Sequence, residues 1–184
     1  MLATWNVQTM LQPGRMKEIS LELRRFGVDV AAVQEVRWTG QGRIDKGTFT
    51  FLYSGPKERT GLHGTGFFVG SRMRSSILSF EPINERLCKL RLKGKFRNLS
   101  LVCAYAPTDM AGDDDKEIFY DQLEGLCERI QRNDLLILLG DFNAKIGREE
   151  SMKMVAGGFT LHNESNDNGQ RLGQMAAKYN MVIK

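Results

Sequence analysis

Five polar residues stand at or just after the ends of apolar stretches, and their types could bind a metal ion and activate water. They are Asn6, Glu35, Tyr105, Asp141 and Asn143. If the apolar stretches are neighbouring strands, their carboxyl ends share one edge of a sheet, and these side chains converge there. The set would then place two carboxylates, two amides and a phenol around one site.

This combination suits the hydrolysis of a phosphodiester, which is anionic and reacts slowly. We expect Glu35 to hold Mg²⁺ or Mn²⁺, with Asn6 as an oxygen ligand or a partner of the metal-bound waters, because Mg²⁺ needs only one or two carboxylates. Asp141 would orient and deprotonate the attacking water. Asn143 would bind the phosphate or fix Asp141, and Tyr105 would donate to a phosphate oxygen. Each residue alone is more often a turn, surface or core residue, so the interpretation depends on their combination.

The elements that must position these residues begin with a strand, a helix and a second strand. Residues 2–7 read as a buried strand. A helix follows Gly14 and ends at Gly27, and residues 28–33 are apolar enough for a strand in the middle of a sheet. This order is typical of a parallel crossover unit.

The middle of the chain predicts several short strands between residues 49 and 105, with a hairpin turn at residues 93–95. A helix is expected from Asp113 to about Arg132, followed by a buried strand over residues 135–139. The inward positions of that helix would be Ile118, Leu123, Leu126 and Ile130. Asn166 precedes a last helix, and residues 181–183 look like the start of another strand.

Together these elements predict an α/β fold with two mixed β-sheets packed face to face and helices outside, a four-layer α/β sandwich. A length of 184 residues suits a single domain spanning residues 1–184. No apolar run approaches the ~20 residues of a membrane helix, so we expect no membrane partner. The three cysteines form no CxxC pair and the N-terminus has no secretory pattern, which favours an intracellular location.

Charge is distributed unevenly along the chain. Residues 57–97 contain ten basic and three acidic residues, whereas residues 109–150 contain five basic and twelve acidic ones. The net charge is +4. A basic face for phosphates and ordinary solvated strand and helix faces both explain this pattern.

Several sequence blocks resemble the endonuclease/exonuclease/phosphatase superfamily. They are Thr4-Trp5-Asn6-Val7, Gln34-Glu35, Tyr105-Ala106-Pro107-Thr108 and Gly140-Asp141-Phe142-Asn143-Ala144. Within the superfamily, Glu35-Val36-Arg37-Trp38 and Asn168-Gly169-x-Arg171-Leu172 are most similar to the endonuclease domains of non-LTR retrotransposons and craniofacial development protein 2-like proteins. The resemblance implies that Glu35 and Asn6 bind the metal, that Asp141 and Asn143 act on water and phosphate, and that Tyr105 contacts the phosphate.

The same resemblance implies a Mg²⁺-dependent DNA endonuclease that works in the nucleus without an organic cofactor. The family pattern continues with further strands, an aspartate and a terminal Ser-Asp-His, so we expect a partial domain that is incomplete at the C-terminus. His63 and His162 lack that context and are interpreted as structural. Two alternatives stay open: a nucleic-acid-binding remnant without catalysis, and a phosphatase acting on a small phosphorylated ligand. The oligomeric state is not predicted.

Overall fold

The computed structural model describes residues 1–58 and 61–184, which form two compact units. The first unit comprises Met1–Tyr105 and Arg129–Asp141, and the second comprises Ala106–Glu128 and Phe142–Lys184. In the described part of the chain, no helix is long and apolar enough to cross a membrane.

The described residues of the first unit form nine strands and one α-helix. The helix is α1 (Arg15–Arg25), and a short 3-10 helix spans Ser71–Ser76. The strands are β1 (Leu2–Asn6), β2 (Val30–Gln34), β3 (Gln41–Asp45), β4 (Phe49–Ser54), β5 (Thr65–Gly70), β6 (Ile77–Pro82), β7 (Leu87–Leu92), β8 (Leu99–Tyr105) and β9 (Leu135–Asp141).

These strands form two mixed sheets, as the sequence predicts. Sheet A has the order β1-β2-β5-β4-β3, and sheet B has the order β6-β7-β8-β9. Each sheet contains one parallel pair, β1 with β2 in sheet A and β8 with β9 in sheet B. The other paired strands run antiparallel, including the predicted hairpin of β7 and β8.

The two sheets pack face to face through a shared apolar core. Sheet A contributes side chains such as Leu52 and Phe67, and sheet B contributes Leu90 and Leu101, all almost completely buried. On the opposite face of sheet A, Ile19 and Leu23 of α1 pack against apolar residues of the sheet and its loops. Burial of this apolar surface is the main force that holds the sandwich together.

The outer strands β1 and β9 are less buried than predicted. Leu2 is 37% exposed and Leu135 is 49% exposed. The prediction of buried strands was wrong because β1 ends sheet A and β9 ends sheet B, so that within the described residues each has a neighbouring strand on one side only. The sequence also misses β3, whose polar residues Gln41, Arg43 and Asp45 point outward at the other edge of sheet A.

The second unit is largely helical. It contains α2 (Asp113–Glu128), a 3-10 helix (Glu150–Met152), α3 (Lys153–Ala156) and α4 (Asp167–Lys178). Within it, the Tyr120 hydroxyl donates to the Asn168 carbonyl at 3.0 Å, and Lys178 of α4 pairs with Glu124 of α2.

Three sequence predictions for the second unit need correction. Helix α2 ends at Glu128, before the predicted Arg132. Ile118 is 55% exposed, because the buried face of α2 is formed by other residues, among them Phe119 and Leu123. Residues 181–183 form no strand: the Ile183 N–H donates to the Val155 carbonyl at 2.7 Å, and this segment packs on a small cluster around α3.

An ion pair ties the start of β9 to the middle of sheet B. Asp134, just before β9, has a side chain only 2% exposed. It accepts hydrogen bonds from Arg91 Nε at 2.7 Å, Arg91 Nη2 at 3.0 Å and Ser100 Oγ at 2.7 Å. These contacts, above all those from Arg91, lower the pKa of Asp134.

We expect Asp134→Asn to lower the free energy of unfolding by about 1–2 kcal/mol at neutral pH, because charge-assisted hydrogen bonds are lost at a partly solvent-exposed site. Since the folded-state pKa is depressed, the wild-type advantage is present above the unfolded pKa of about 3.9 and disappears as the pH falls through the lower folded value. Urea unfolding between pH 2 and pH 7 measures both effects. Asp121→Asn, at an exposed position of α2, is the control and should change stability little at any pH.

Candidate active site

The parallel strand pairs bring four of the five predicted site residues to one edge of the first unit. In sheet A, Asn6 lies opposite Gln34, and in sheet B, Tyr105 lies opposite Asp141. Strand β1 also contacts β9, so the ends of the two sheets meet. Glu35 is the first residue after β2. The expected convergence at the carboxyl ends of strands therefore follows from the two parallel registers.

One side-chain amide links the two carboxylates. Asn6 Nδ2 donates to Glu35 Oε1 at 2.9 Å and to Asp141 Oδ2 at 2.9 Å. The Tyr105 hydroxyl donates to the same Glu35 Oε1 at 3.0 Å. Two like charges this close repel each other, and a donor shared between them offsets that repulsion. The arrangement places two acidic groups on either side of one amide.

Glu35 is a partly buried carboxylate that remains charged. Burial by itself raises the pKa of Glu35, but the hydrogen bonds from Asn6, Arg37 and Tyr105 outweigh it, and the pKa lies below the ordinary value. Arg37 Nη2 lies 2.7 Å from Glu35 Oε2. The carboxylate is thus prepared as an anionic ligand at neutral pH.

The phenol of Tyr105 is held in its protonated form. Burial, followed by the hydrogen bond to Glu35, raises the pKa of Tyr105 to about 12. The hydroxyl therefore remains a hydrogen-bond donor over the whole physiological range.

The backbone after β2 adopts an uncommon conformation. Glu35 has φ 58° and Arg37 has φ 61°, in the left-handed region that non-glycine residues rarely occupy. Val36 between them is completely buried, and the Val36 and Arg37 N–H groups donate to the carbonyls of Gly64 and His63. Buried Val36 and these two bonds hold the turn, so that both flanking side chains reach the site.

Trp38, which follows Arg37 in the sequence, packs inward. Its Nε1 donates to the Met10 carbonyl at 2.9 Å, and its ring meets those of Phe51 and Tyr53 edge-on. Trp38 supports the turn and does not face a ligand.

A glycine allows β9 to approach β8 just before Asp141. A Cβ atom at Gly140 would lie 2.1 Å from the Ala104 carbonyl oxygen. Any larger residue would push β9 away from β8 and displace Asp141. This close approach is the physical reason for glycine in the Gly-Asp-x-Asn block.

Asn143 belongs to the second unit. Its own backbone is also left-handed, with φ 48°. Its Nδ2 donates to the Ala106 carbonyl at 3.0 Å, and its own carbonyl accepts from Asn166 Nδ2 at 2.9 Å. Asn166 also caps α4, since its side chain accepts from the Gly169 N–H. Asn143 is therefore fixed within its unit by the residue that starts α4.

The donor set fits a hard divalent cation. Among the described residues, no group of three or more His, Cys, Asp and Glu side chains could hold a metal ion together. Mg²⁺ keeps several waters and binds through one or two carboxylates, which Glu35 and Asp141 supply. Asn6 Oδ1 accepts from the Gln8 N–H at 3.0 Å, so Asn6 could ligate a metal only after its amide turned.

Three further residues lie near the site, and Arg86 is the one among them that was not considered in the sequence analysis. Arg37 pairs with Glu35, and Arg86 lies over the Tyr105 ring, 5.4 Å from its centroid. The His63 and Tyr105 ring centroids are 6.0 Å apart, although His63 was interpreted as a structural loop residue. Arg37 stands two residues after Glu35, whereas nothing in the spacing of His63 and Arg86 marks them, because the fold brings them here from distant parts of the sequence.

Three other basic residues of the 57–97 stretch are engaged elsewhere. Arg91 pairs with Asp134, Lys89 with Glu81, and Arg74 donates to the Phe49 carbonyl. Arg59 lies outside the described residues. This stretch is therefore not one uniform basic face.

Removing the shared amide should destabilise the protein. We expect Asn6→Ala to reduce the free energy of unfolding by about 1–2 kcal/mol, because Glu35 and Asp141 lose a common donor. Part of the loss should be recovered in millimolar MgCl₂ at constant ionic strength, since a bound cation compensates the facing carboxylates.

Urea unfolding with and without MgCl₂ provides the measurement. Asn163→Ala, which removes an exposed amide, should stay within about 0.5 kcal/mol of the unaltered chain. Equal losses in the two variants would contradict a special role for Asn6.

The sequence is similar to that of a curated vertebrate protein. It is 31% identical over 182 residues to craniofacial development protein 2 from Bos taurus, covering 99% of this chain and 30% of that protein. The chain therefore spans about a third of the length of this relative.

Solved structures share the fold at low sequence identity. An AP endonuclease from Archaeoglobus fulgidus aligns with a TM-score of 0.59 and 16% identity, covering 97% of this chain and 70% of the other. An AP endonuclease from Leishmania major gives a TM-score of 0.60 and 15% identity over 96% and 66%. The endonuclease domain of TRAS1, a telomere-specific non-LTR retrotransposon, gives 0.57 and 11% over 95% and 70%.

A family model matches nearly the whole chain, from residue 3 to residue 172. This match includes both parallel strand pairs and the residues at their ends. The chain therefore belongs to the Endonuclease/Exonuclease/phosphatase family.

Proposed function

We propose that this chain is an endonuclease that hydrolyses phosphodiester bonds in DNA with the help of Mg²⁺ or Mn²⁺. The observation that carries the proposal is the pair of carboxylates, Glu35 and Asp141, joined by the amide of Asn6. Membership of the family supports hydrolysis at phosphorus, since its name covers nucleases and phosphatases.

DNA is the substrate we favour over a small phosphorylated ligand. Arg37 and Arg86 add two guanidinium groups beside Glu35 and Tyr105, and guanidinium groups recognise phosphates well. The proteins that share the fold include AP endonucleases and a retrotransposon endonuclease domain. A nucleic-acid backbone offers phosphates to both the reacting centre and the flanking cations.

The residues would divide the chemistry between them. Glu35 and Asp141 would hold the cation, with Asn6 keeping the two carboxylates in place. When bound, the cation would supply Lewis-acid polarisation of the phosphoryl group and offset the charge that builds up on it. Asp141 would also take a proton from the attacking water through its carboxylate.

Tyr105 and Asn143 would act on the phosphate. The Tyr105 hydroxyl, protonated across the physiological range, would donate to a phosphate oxygen as negative charge increases in the transition state. The side-chain amide of Asn143, two residues after Asp141, would do the same or fix Asp141. A nuclear location would match this activity.

Nicking of supercoiled plasmid DNA tests the proposal. We expect nicking in MgCl₂ or MnCl₂ and none in EDTA, and we expect Asp141→Asn and Glu35→Gln each to reduce the rate by about 10²-fold or more. Asp121→Asn makes the same chemical change at an exposed site on α2 and should leave the rate unaltered.

Two outcomes would reject the endonuclease. Nicking that persists in EDTA or in the Asp141→Asn variant would belong to a contaminant or to another site. Salt-sensitive DNA binding without cleavage at any metal concentration would identify a binding protein without catalysis.

A further inference from the structure

An imidazole and a guanidinium lie together against Tyr105. Arg86 Nη2 is 3.4 Å from His63 Nε2, and Arg86 Nη1 donates to the Tyr105 carbonyl at 3.1 Å. The guanidinium also covers the Tyr105 ring. His63 and Arg86 are therefore anchored to the residue whose hydroxyl reaches Glu35.

The contact with Arg86 selects one tautomer of His63. A guanidinium carries only donors, so His63 Nε2 must accept in this pair. The proton of the neutral ring then resides on Nδ1. In the described part of the chain, that Nδ1–H makes no hydrogen bond, so it remains available to a ligand.

Burial, followed by the charge of Arg86, lowers the pKa of His63. The ring is half-buried and neutral at physiological pH, although Glu85 and Glu35 act in the opposite direction. A neutral imidazole with its proton on Nδ1 is a fixed hydrogen-bond donor beside the permanent charge of Arg86.

The backbone around His63 is held in an uncommon conformation. His63 has φ 50°, and its carbonyl accepts from the Arg37 N–H at 2.7 Å. The adjacent Gly64 N–H donates to the Glu85 carbonyl at 2.9 Å. Left-handed residues fixed in this way are concentrated at functional sites, and Glu35 and Arg37 share this conformation.

We propose that His63 contacts the substrate, with its Nδ1–H donating to a DNA phosphate next to the phosphate that is attacked. Arg86 is the positioning residue that selects the His63 tautomer, and its charge attracts the same phosphate. The inference rests on the proposed function, because it assumes a substrate with more than one phosphate. It makes the site selective for a polynucleotide over a monoester.

Nitrogen-15 NMR of the histidine rings tests the tautomer without any assay of activity. The chain has two histidines, and His162→Asn assigns the signals. We expect His63 to be protonated on Nδ1 at pH 7, and Arg86→Gln to shift it towards the Nε2–H form. Arg86→Lys retains a cationic donor and should preserve the Nδ1–H form.

Fluorescence anisotropy with a labelled DNA duplex, with Ca²⁺ replacing Mg²⁺, tests the phosphate contact. His63→Asn tolerates the left-handed backbone and should weaken binding about 3- to 10-fold with little change in salt dependence, since a neutral donor releases no counterion. Arg86→Gln should weaken binding and reduce the slope of log K against log salt by about 0.9. Arg86→Lys should keep the slope.

Arg72→Gln removes the same charge from an exposed arginine in the helix that follows β5, and it should bind DNA within about twofold of the unaltered chain. Thermal melting checks that each variant folds.

The outcomes of these experiments test the phosphate contact independently of catalysis. If His63→Asn and Arg86→Gln bind DNA as well as the Arg72→Gln control, the phosphate contact is rejected even where plasmid nicking succeeds. An Nε2–H tautomer in the unaltered chain, or no DNA binding by it, rejects the inference as well. Dependence on His63 and Arg86 without nicking supports the contact while the proposed catalysis fails.

Discussion

A single amide holds the acidic centre of this protein together. Asn6 is at the end of the outer strand of sheet A, and Asp141 ends the outer strand of sheet B. Their hydrogen bond, and the one from Asn6 to Glu35, connects the two sheets at the point where two negative charges approach. Without that donor the sandwich would still bury its core, but the carboxylates would repel each other.

The site combines regular strands with irregular backbone. The parallel pairing of β1 with β2 and of β8 with β9 aligns the ends of the paired strands, and so places Asn6, Tyr105 and Asp141. Glu35 and His63 instead depend on left-handed turns that are locked by backbone hydrogen bonds between two loops. The left-handed conformation costs free energy locally, but it persists because the surrounding core holds it. The residues at the strand ends therefore have neighbours in fixed positions.

Sequence patterns predict the strand ends well because apolar runs and the polar residues that follow them are local signals. The two mixed sheets, α1 and α4 are confirmed on that basis. Strand neighbours are not local, so the exposure of β1 and β9 was missed, and polar β3 gave too weak an apolar pattern. Likewise, His63 and Arg86 are distant in sequence and meet only through the fold. The direction of the Trp38 side chain also depends on the fold, because the rings that it contacts, those of Phe51 and Tyr53, belong to β4.

The outer positions of β1 and β9 have a consequence for the site itself. Both strands present backbone N–H and C=O groups along their free sides, and Asn6 and Asp141 are the last residues of these same two strands. A polypeptide that hydrogen-bonded to the free side of β1 or β9 would stiffen the strand that ends in Asn6 or Asp141. Pairing at either edge would thus act on the acidic centre through only a few peptide units.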